Sequence, residues 1–122
     1  MKKKQNFKDS LRYAWRGLKY VAKNEENFRF ELSVALLVIV LAIVLKIKLW
    51  EFVIIIMMIT WVLVTELANT VVERIVDILQ PRIHPFARLI KDITAGIVLI
   101  SAISASIIGL MIFYSHFLNL IS

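Results

Sequence analysis

This chain contains no cysteine. Disulfides, thiolate nucleophiles and sulfur-ligated zinc are therefore excluded. Proline is almost as rare, with Pro81 and Pro85 the two examples, and the three glycines are Gly17, Gly96 and Gly109. So few breakers leave little room for long loops. Glycines this scattered form neither phosphate-cradling loop, GxxxxGK(S/T) or GxGxxG. A soluble-type kinase fold is thereby excluded, and any nucleotide site must be built from helix side chains. Charge is scarce too: 20% of the 122 residues are charged and 60% are hydrophobic. A soluble domain carries about 25% charge and is about half apolar. The class that fits is an all-α integral membrane protein, because a helix satisfies its backbone internally in lipid. The first thirty residues are polar and basic, without a short apolar core and cleavage site, so no removable signal peptide is expected.

A basic tail, Lys2-Lys3-Lys4, precedes a patterned segment. Phe7, Leu11, Ala14, Trp15, Leu18, Val21 and Ala22 recur at helical spacing, and Lys8, Arg12, Arg16, Lys19 and Lys23 take the other positions. The pattern predicts an amphipathic surface helix over 5–24, suited to the headgroup plane. Leu32 to Leu45 is the first apolar run. It is short for a span, which needs about 20 residues. Phe28 and Phe30 extend it on one side, and Lys46 and Lys48 can snorkel on the other. Trp50 follows as an interfacial anchor. A second span starts in the uncharged stretch Phe52 to Thr65 and continues as helix to about Leu79, before Gln80-Pro81 ends it. A loop is expected over Pro81–Arg88. Ile93 to Ile121 has no Asp, Glu, Lys or Arg. Gly96, Ala102, Ala105 and Gly109, with the four serines Ser101, Ser104, Ser106 and Ser115, give this third span a small-residue face for close helix approach, and His116 reads as an interfacial residue. The expected organisation is one membrane domain over 1–122, with spans of about 29–48, 50–79 and 91–119.

Glu66, Asn69, Thr70, Glu73 and Asp77 form a polar stripe on the second of these spans. At about 100° per residue they share a wedge of roughly 100°. Ionisable groups entering a membrane helix are costly without partners and mark function by default. Nine of the fifteen Lys and Arg lie in residues 1–31, two in the first connection, four in 66–92 and none beyond. The positive-inside rule places the N-terminus and the second connection in the cytoplasm. Four groups then converge there: the stripe, Asn24-Glu25-Glu26-Asn27-Phe28-Arg29, the Arg82–His84 turn, and Lys91-Asp92. Carboxylates that gather Mg²⁺, with Lys, Arg and His for phosphate oxygens, are what phosphoryl transfer needs. Glu66 lies deepest, where a lipid hydroxyl would reach it, and a carboxylate there can act as general base. The competing readings are polar residues that only fix an oligomer, a proton or cation pathway, and a regulatory membrane subunit. The stripe stops at one interface and span three carries no charge to continue it, which favours a one-sided enzyme over a pore. Three helices bury few side chains, so a homo-oligomer is expected.

Glu66-Leu67-Ala68-Asn69-Thr70-Val71-Val72-Glu73, then Asp77, His84-Pro85 and Lys91-Asp92-Ile93-Thr94-Ala95-Gly96 resemble the prokaryotic diacylglycerol kinase family. Its pattern is roughly E-x-x-N-(S/T)-x-x-E-x-x-x-D followed by K-D-x-x-(A/G). Trp15-Arg16-Gly17-Leu18 and Asn24-Glu25, Phe28-Arg29 and Glu31 resemble it as well, so the likeness covers nearly the whole chain. It implies a homotrimeric lipid kinase with a surface helix and three membrane helices per subunit, and active sites shared between neighbours. It implies ATP and Mg²⁺, a lipid alcohol substrate, no nucleic acid, and a bacterial cytoplasmic membrane. By resemblance, Glu66 is the catalytic base and Asn69 orients it or the substrate. Glu25 and Glu73 are metal ligands that also face the nucleotide, with Tyr13, Arg82, Ile83, His84, Lys91 and Asp92. Ser10, Ala14, Phe28, Glu31, Glu66 and Ala95 are substrate contacts. Val71 and Val72 stand where relatives often carry Ala-Ile, which alters packing and not ligands. Phe30 takes a place that is polar in some diacylglycerol-specific members. Asn69-Thr70 looks like the Gram-positive branch, whose members prefer undecaprenol; diacylglycerol is the alternative acceptor.

Overall fold

A computed structural model describes residues 6–79 and 85–121. They form four helices: α1 (Phe7–Asn24), α2 (Glu26–Val44), α3 (Leu49–Leu79) and α4 (Pro85–Ile121). The last three are each long and apolar enough to cross a membrane. α3 is central and packs against both α4 and α2, while α1 contacts α2.

Helix α1 is opened by Asn6, whose side chain accepts from the Asp9 N–H at 2.8 Å, an ordinary N-cap. It closes at one extended residue, Glu25 (φ −114°, ψ 109°), which ends α1 and starts α2 at once. Arg29 stabilises this corner. Its guanidinium donates to the Ala22 and Lys23 carbonyls at 3.0 and 2.8 Å, which the end of α1 leaves without helical partners. The stretch 26–29, expected just before the first span, is therefore the first turn of α2.

At its far end α2 stops at Val44, four residues short of the expected 48. The Lys46 N–H bonds Ile43 O and the Ile47 N–H bonds Ala42 O, the two bonds of a Schellman cap. The cap puts Lys46 at φ 53°. Helix α3 then begins with Glu51 accepting from the Lys48 N–H at 2.9 Å, one half of a capping box.

The expected loop over 81–88 is shorter on its second side, because residues 85–88 already belong to α4. Proline at the first helical position lacks only an N–H that would have had no partner, and its fixed φ suits the helix. Pro85 therefore starts a helix where it had been read as part of a turn. Arg82, Ile83 and His84 lie outside the described residues.

Burial is inverted relative to a water-soluble protein. Among the described residues, seven apolar ones are buried, including Phe28, Ala35 and Ala42 at intervals of seven along α2. Six polar ones are buried as well: Glu51, Thr65, Glu66, Asn69, Thr70 and Ser101. Most large aliphatic side chains point outward, which lipid tolerates and water does not. The small-residue face of α4 only partly forms a close crossing. A Cβ added to Gly96 or Gly109 would meet nothing within 4 Å, and Ala102, Ala105 and Gly109 line a cavity instead. The close contact is Ser101, 2% exposed, whose hydroxyl meets that of Thr65 at 2.9 Å.

Candidate active site

The polar stripe on α3 runs from buried to open. Glu66, Asn69 and Thr70 are buried, Glu73 is half-buried and Asp77 is exposed. Thr70 turns its hydroxyl back onto the Glu66 carbonyl at 3.1 Å, so it satisfies its own helix. Glu66, 4% exposed, meets the Glu31 carboxyl from α2 and lies within Coulombic reach of Glu73 and Glu25. Carboxyl groups this crowded need protons or cations to coexist. Glu31 Oε1 and Asn69 Oδ1 are both buried with no hydrogen-bond donor among the described residues. Buried acceptors without donors are unusual and call for an explanation. Both are acceptors, and a hydroxyl group is a donor that suits them.

Glu31 also lines an apolar cavity of about 530 Å³ between α2, α3 and α4, walled by Phe30, Val34, Ile59, Ala105 and Phe113 among others. The acid pair therefore sits beside hydrocarbon-lined space. Towards the open end of the stripe, Lys91 from α4 binds Asp77 at 2.9 Å. Its neighbour Asp92 turns outward to Arg88 at 3.8 Å. Lys91 and Asp92 thus point to different partners. Arg74 reaches across from α3 to Glu25 at the α1–α2 corner. Tyr13 on α1 is flanked by the guanidinium groups of Arg12 and Arg16, each 5.5 Å from its ring centroid, within cation–π range.

The sequence-derived residues separate accordingly. Glu66 meets Glu31 and has Glu25 and Glu73 within Coulombic reach, Asn69 shares its face of α3, and Phe28 packs inside α2's buried face. Ser10, Ala14 and Tyr13 are on the exposed α1. Ala95 is exposed on α4, one residue after Thr94, whose hydroxyl bonds the Lys91 carbonyl.

The sequence pattern of the family named prokaryotic diacylglycerol kinase matches residues 12–113. The chain belongs to the prokaryotic diacylglycerol kinase family. Three relatives illustrate its breadth. Undecaprenol kinase of Bacillus subtilis is 36% identical over 107 residues, 88% of this chain and 87% of the relative. Diacylglycerol kinase of Synechocystis is 35% identical over 101 residues, 82% of this chain and 58% of the relative. Diacylglycerol kinase of Escherichia coli K12 is 32% identical over 105 residues, 86% of each chain. Membership makes this diacylglycerol kinase family chain a lipid kinase of a bacterial membrane, with a lipid substrate and a nucleotide phosphate donor.

Sequence reasoning passed over three contacts of this family member. Arg74 follows Glu73 in the stripe and was read only as one of the basic residues that set topology. Ser101 was counted among small residues, although a serine five residues after Gly96 in an uncharged span is a candidate for an interhelical bond. His116 was read as interfacial; it meets Glu51 at 2.6 Å, tying the end of α4 to the first turn of α3. Thirty-six and sixty-five residues separate these last two pairs, and no local pattern joins positions so distant.

Proposed function

We propose that this chain transfers the γ-phosphoryl group of ATP to the hydroxyl of undecaprenol, giving undecaprenyl phosphate. The observation that carries the reading is that buried Glu66 meets the half-buried Glu31, which lines an apolar cavity. The cavity suits a hydrocarbon tail, and the acceptor atoms without donors suit the hydroxyl that ends it. Glu66 accepts the hydroxyl proton, and Asn69, one turn further, holds the substrate or Glu66 in line. The alcohol oxygen then bonds to the γ-phosphorus as the bond to the bridging oxygen of ADP breaks. Lys91 lies towards the open end, where phosphate oxygens would gather.

Among the described residues no three acidic or histidine side chains are grouped to encage a metal. Mg²⁺ commonly binds one or two carboxylates together with substrate phosphates, and Glu25 and Glu73 fit that requirement. When bound, the ion neutralises charge on the phosphates. Tyr13 and Asp92 contact the nucleotide in this reading, Arg82, Ile83 and His84 are further nucleotide contacts by resemblance, and Ser10, Ala14, Phe28 and Ala95 border the lipid. The site lies on the cytoplasmic side, where Lys and Arg concentrate, and α1 rests in the headgroup plane. The chain works as a homotrimer, and helix faces that are exposed in one subunit pack against the next.

Undecaprenol is preferred because Asn69-Thr70 resembles the Gram-positive branch and because the Bacillus subtilis relative aligns over most of both chains. Diacylglycerol is the second reading, favoured by the names of the other two relatives. The test presents each lipid separately in mixed micelles with radiolabelled ATP and Mg²⁺. The expected result is faster labelling of undecaprenol. Faster labelling of diacylglycerol would assign the chain to phosphatidic acid synthesis, and label in neither lipid would contradict the proposal.

A further inference from the structure

Glu66 meets Glu31 and lies within Coulombic reach of Glu25 and Glu73. Among the described residues, the one ion pair that any of the four makes is that of Glu25 with Arg74. Lys91 is held by Asp77 and Arg88 by Asp92. Arg74 therefore sits on the carboxylate that the proposed function gives to the metal. Its side chain is 50% exposed against 20% for Glu25. An ion pair this open holds its partners only weakly, and the long arginine side chain can leave without disturbing α3.

We propose that Arg74 is an exchange cation. It neutralises Glu25 before nucleotide arrives, yields that carboxylate to the divalent ion, and passes its guanidinium to the polyphosphate. Until then it keeps the Glu25 charge from adding to the field around Glu66, which lies within reach of it. A divalent ion carries twice the charge of a guanidinium and so attracts the carboxylate more strongly at equal distance. The freed guanidinium presents a planar fork of five N–H donors, a shape that matches phosphate oxygens and that lysine lacks. This inference rests on the reading of Glu25 as a metal ligand.

The test measures Mn²⁺ binding to the full-length protein in micelles by electron paramagnetic resonance, without nucleotide. Wild type, Arg74→Gln, Arg74→Lys and Glu25→Gln are compared. Removing a positive charge from beside the carboxylate makes Arg74→Gln bind Mn²⁺ about fivefold more tightly, the size expected for an exposed pair. The same variant binds a non-hydrolysable ATP analogue about tenfold more weakly. Arg74→Lys, which keeps the charge, gives wild-type Mn²⁺ affinity with weakened analogue binding. Unchanged or weaker Mn²⁺ binding by Arg74→Gln, while Glu25→Gln abolishes it, would overturn the exchange and leave the metal reading standing. Undiminished analogue binding would overturn the transfer to phosphate. Wild-type Mn²⁺ binding that Glu25→Gln does not change would overturn both the metal reading and this inference.

Discussion

Thr65 and Glu66 are consecutive residues on α3 that do different work. Thr65 holds α4 through Ser101, and this bond fixes the helix at the point where Glu66 meets Glu31. Replacing Thr65 with valine keeps the shape and removes the hydroxyl. The expected cost is about 0.5–1.5 kcal/mol, the range for hydrogen bonds between membrane helices. Detergent titration followed by circular dichroism checks it; an unchanged midpoint would mean that Ser101's own bond to the Val98 carbonyl is sufficient. The acidic stripe was legible in the sequence because helical periodicity alone puts five residues on one face. Arg74's partner was not, because Glu25 lies forty-nine residues away and only the α1–α2 corner brings it close. Resemblance singles out Glu31 as an expected substrate contact, while its meeting with Glu66 depends on how α2 packs on α3.

The helices were legible because apolar runs and basic flanks are local signals. Their ends were less so. Lys46 lies beyond the end of α2 in a left-handed conformation (φ 53°), a place where glycine is the usual choice. A pattern of apolar residues followed by lysines reads as a longer helix with snorkelling ends, and nothing in it announces the turn. A side chain in that conformation costs about 1–2 kcal/mol relative to glycine. Lys46→Gly is therefore expected to raise stability by about 1 kcal/mol, read from the same detergent titration. A loss of stability would contradict the cap. Pro85 shows the opposite case: a helix breaker in the interior is a helix starter at the first turn, and sequence alone did not distinguish the two. At the other end of the bundle, the Glu51–His116 contact fastens α3 to α4. His116→Ala leaves the buried Glu51 with only its backbone donor from Lys48, at an expected cost of about 1–3 kcal/mol. An unchanged unfolding midpoint would assign His116 no part in holding the helices.

The described residues form a membrane enzyme that buries Glu66, Asn69 and Thr70 of the stripe and turns most large aliphatic side chains outward. α3 is roughly 46 Å long at 1.5 Å per residue, against a hydrocarbon core of about 30 Å. In the proposed orientation the end that carries Asp77 reaches water while Glu66 stays at lipid depth. On the proposed reading, this one-sided arrangement brings a soluble phosphate donor and a lipid hydroxyl to the same residues. Sharing sites between subunits requires assembly, so light scattering in micelles should give the mass of three chains after correction for detergent; the mass of one chain, with activity retained, would contradict the trimer. The central claim is that Glu66 takes the proton from the lipid hydroxyl. The most direct measurement is the rate of lipid phosphorylation by Glu66→Gln beside wild type, at equal helix content and equal assembled mass. Loss of a general base predicts a fall of about a hundredfold to ten-thousandfold, whereas a rate within a few-fold of wild type would contradict the account.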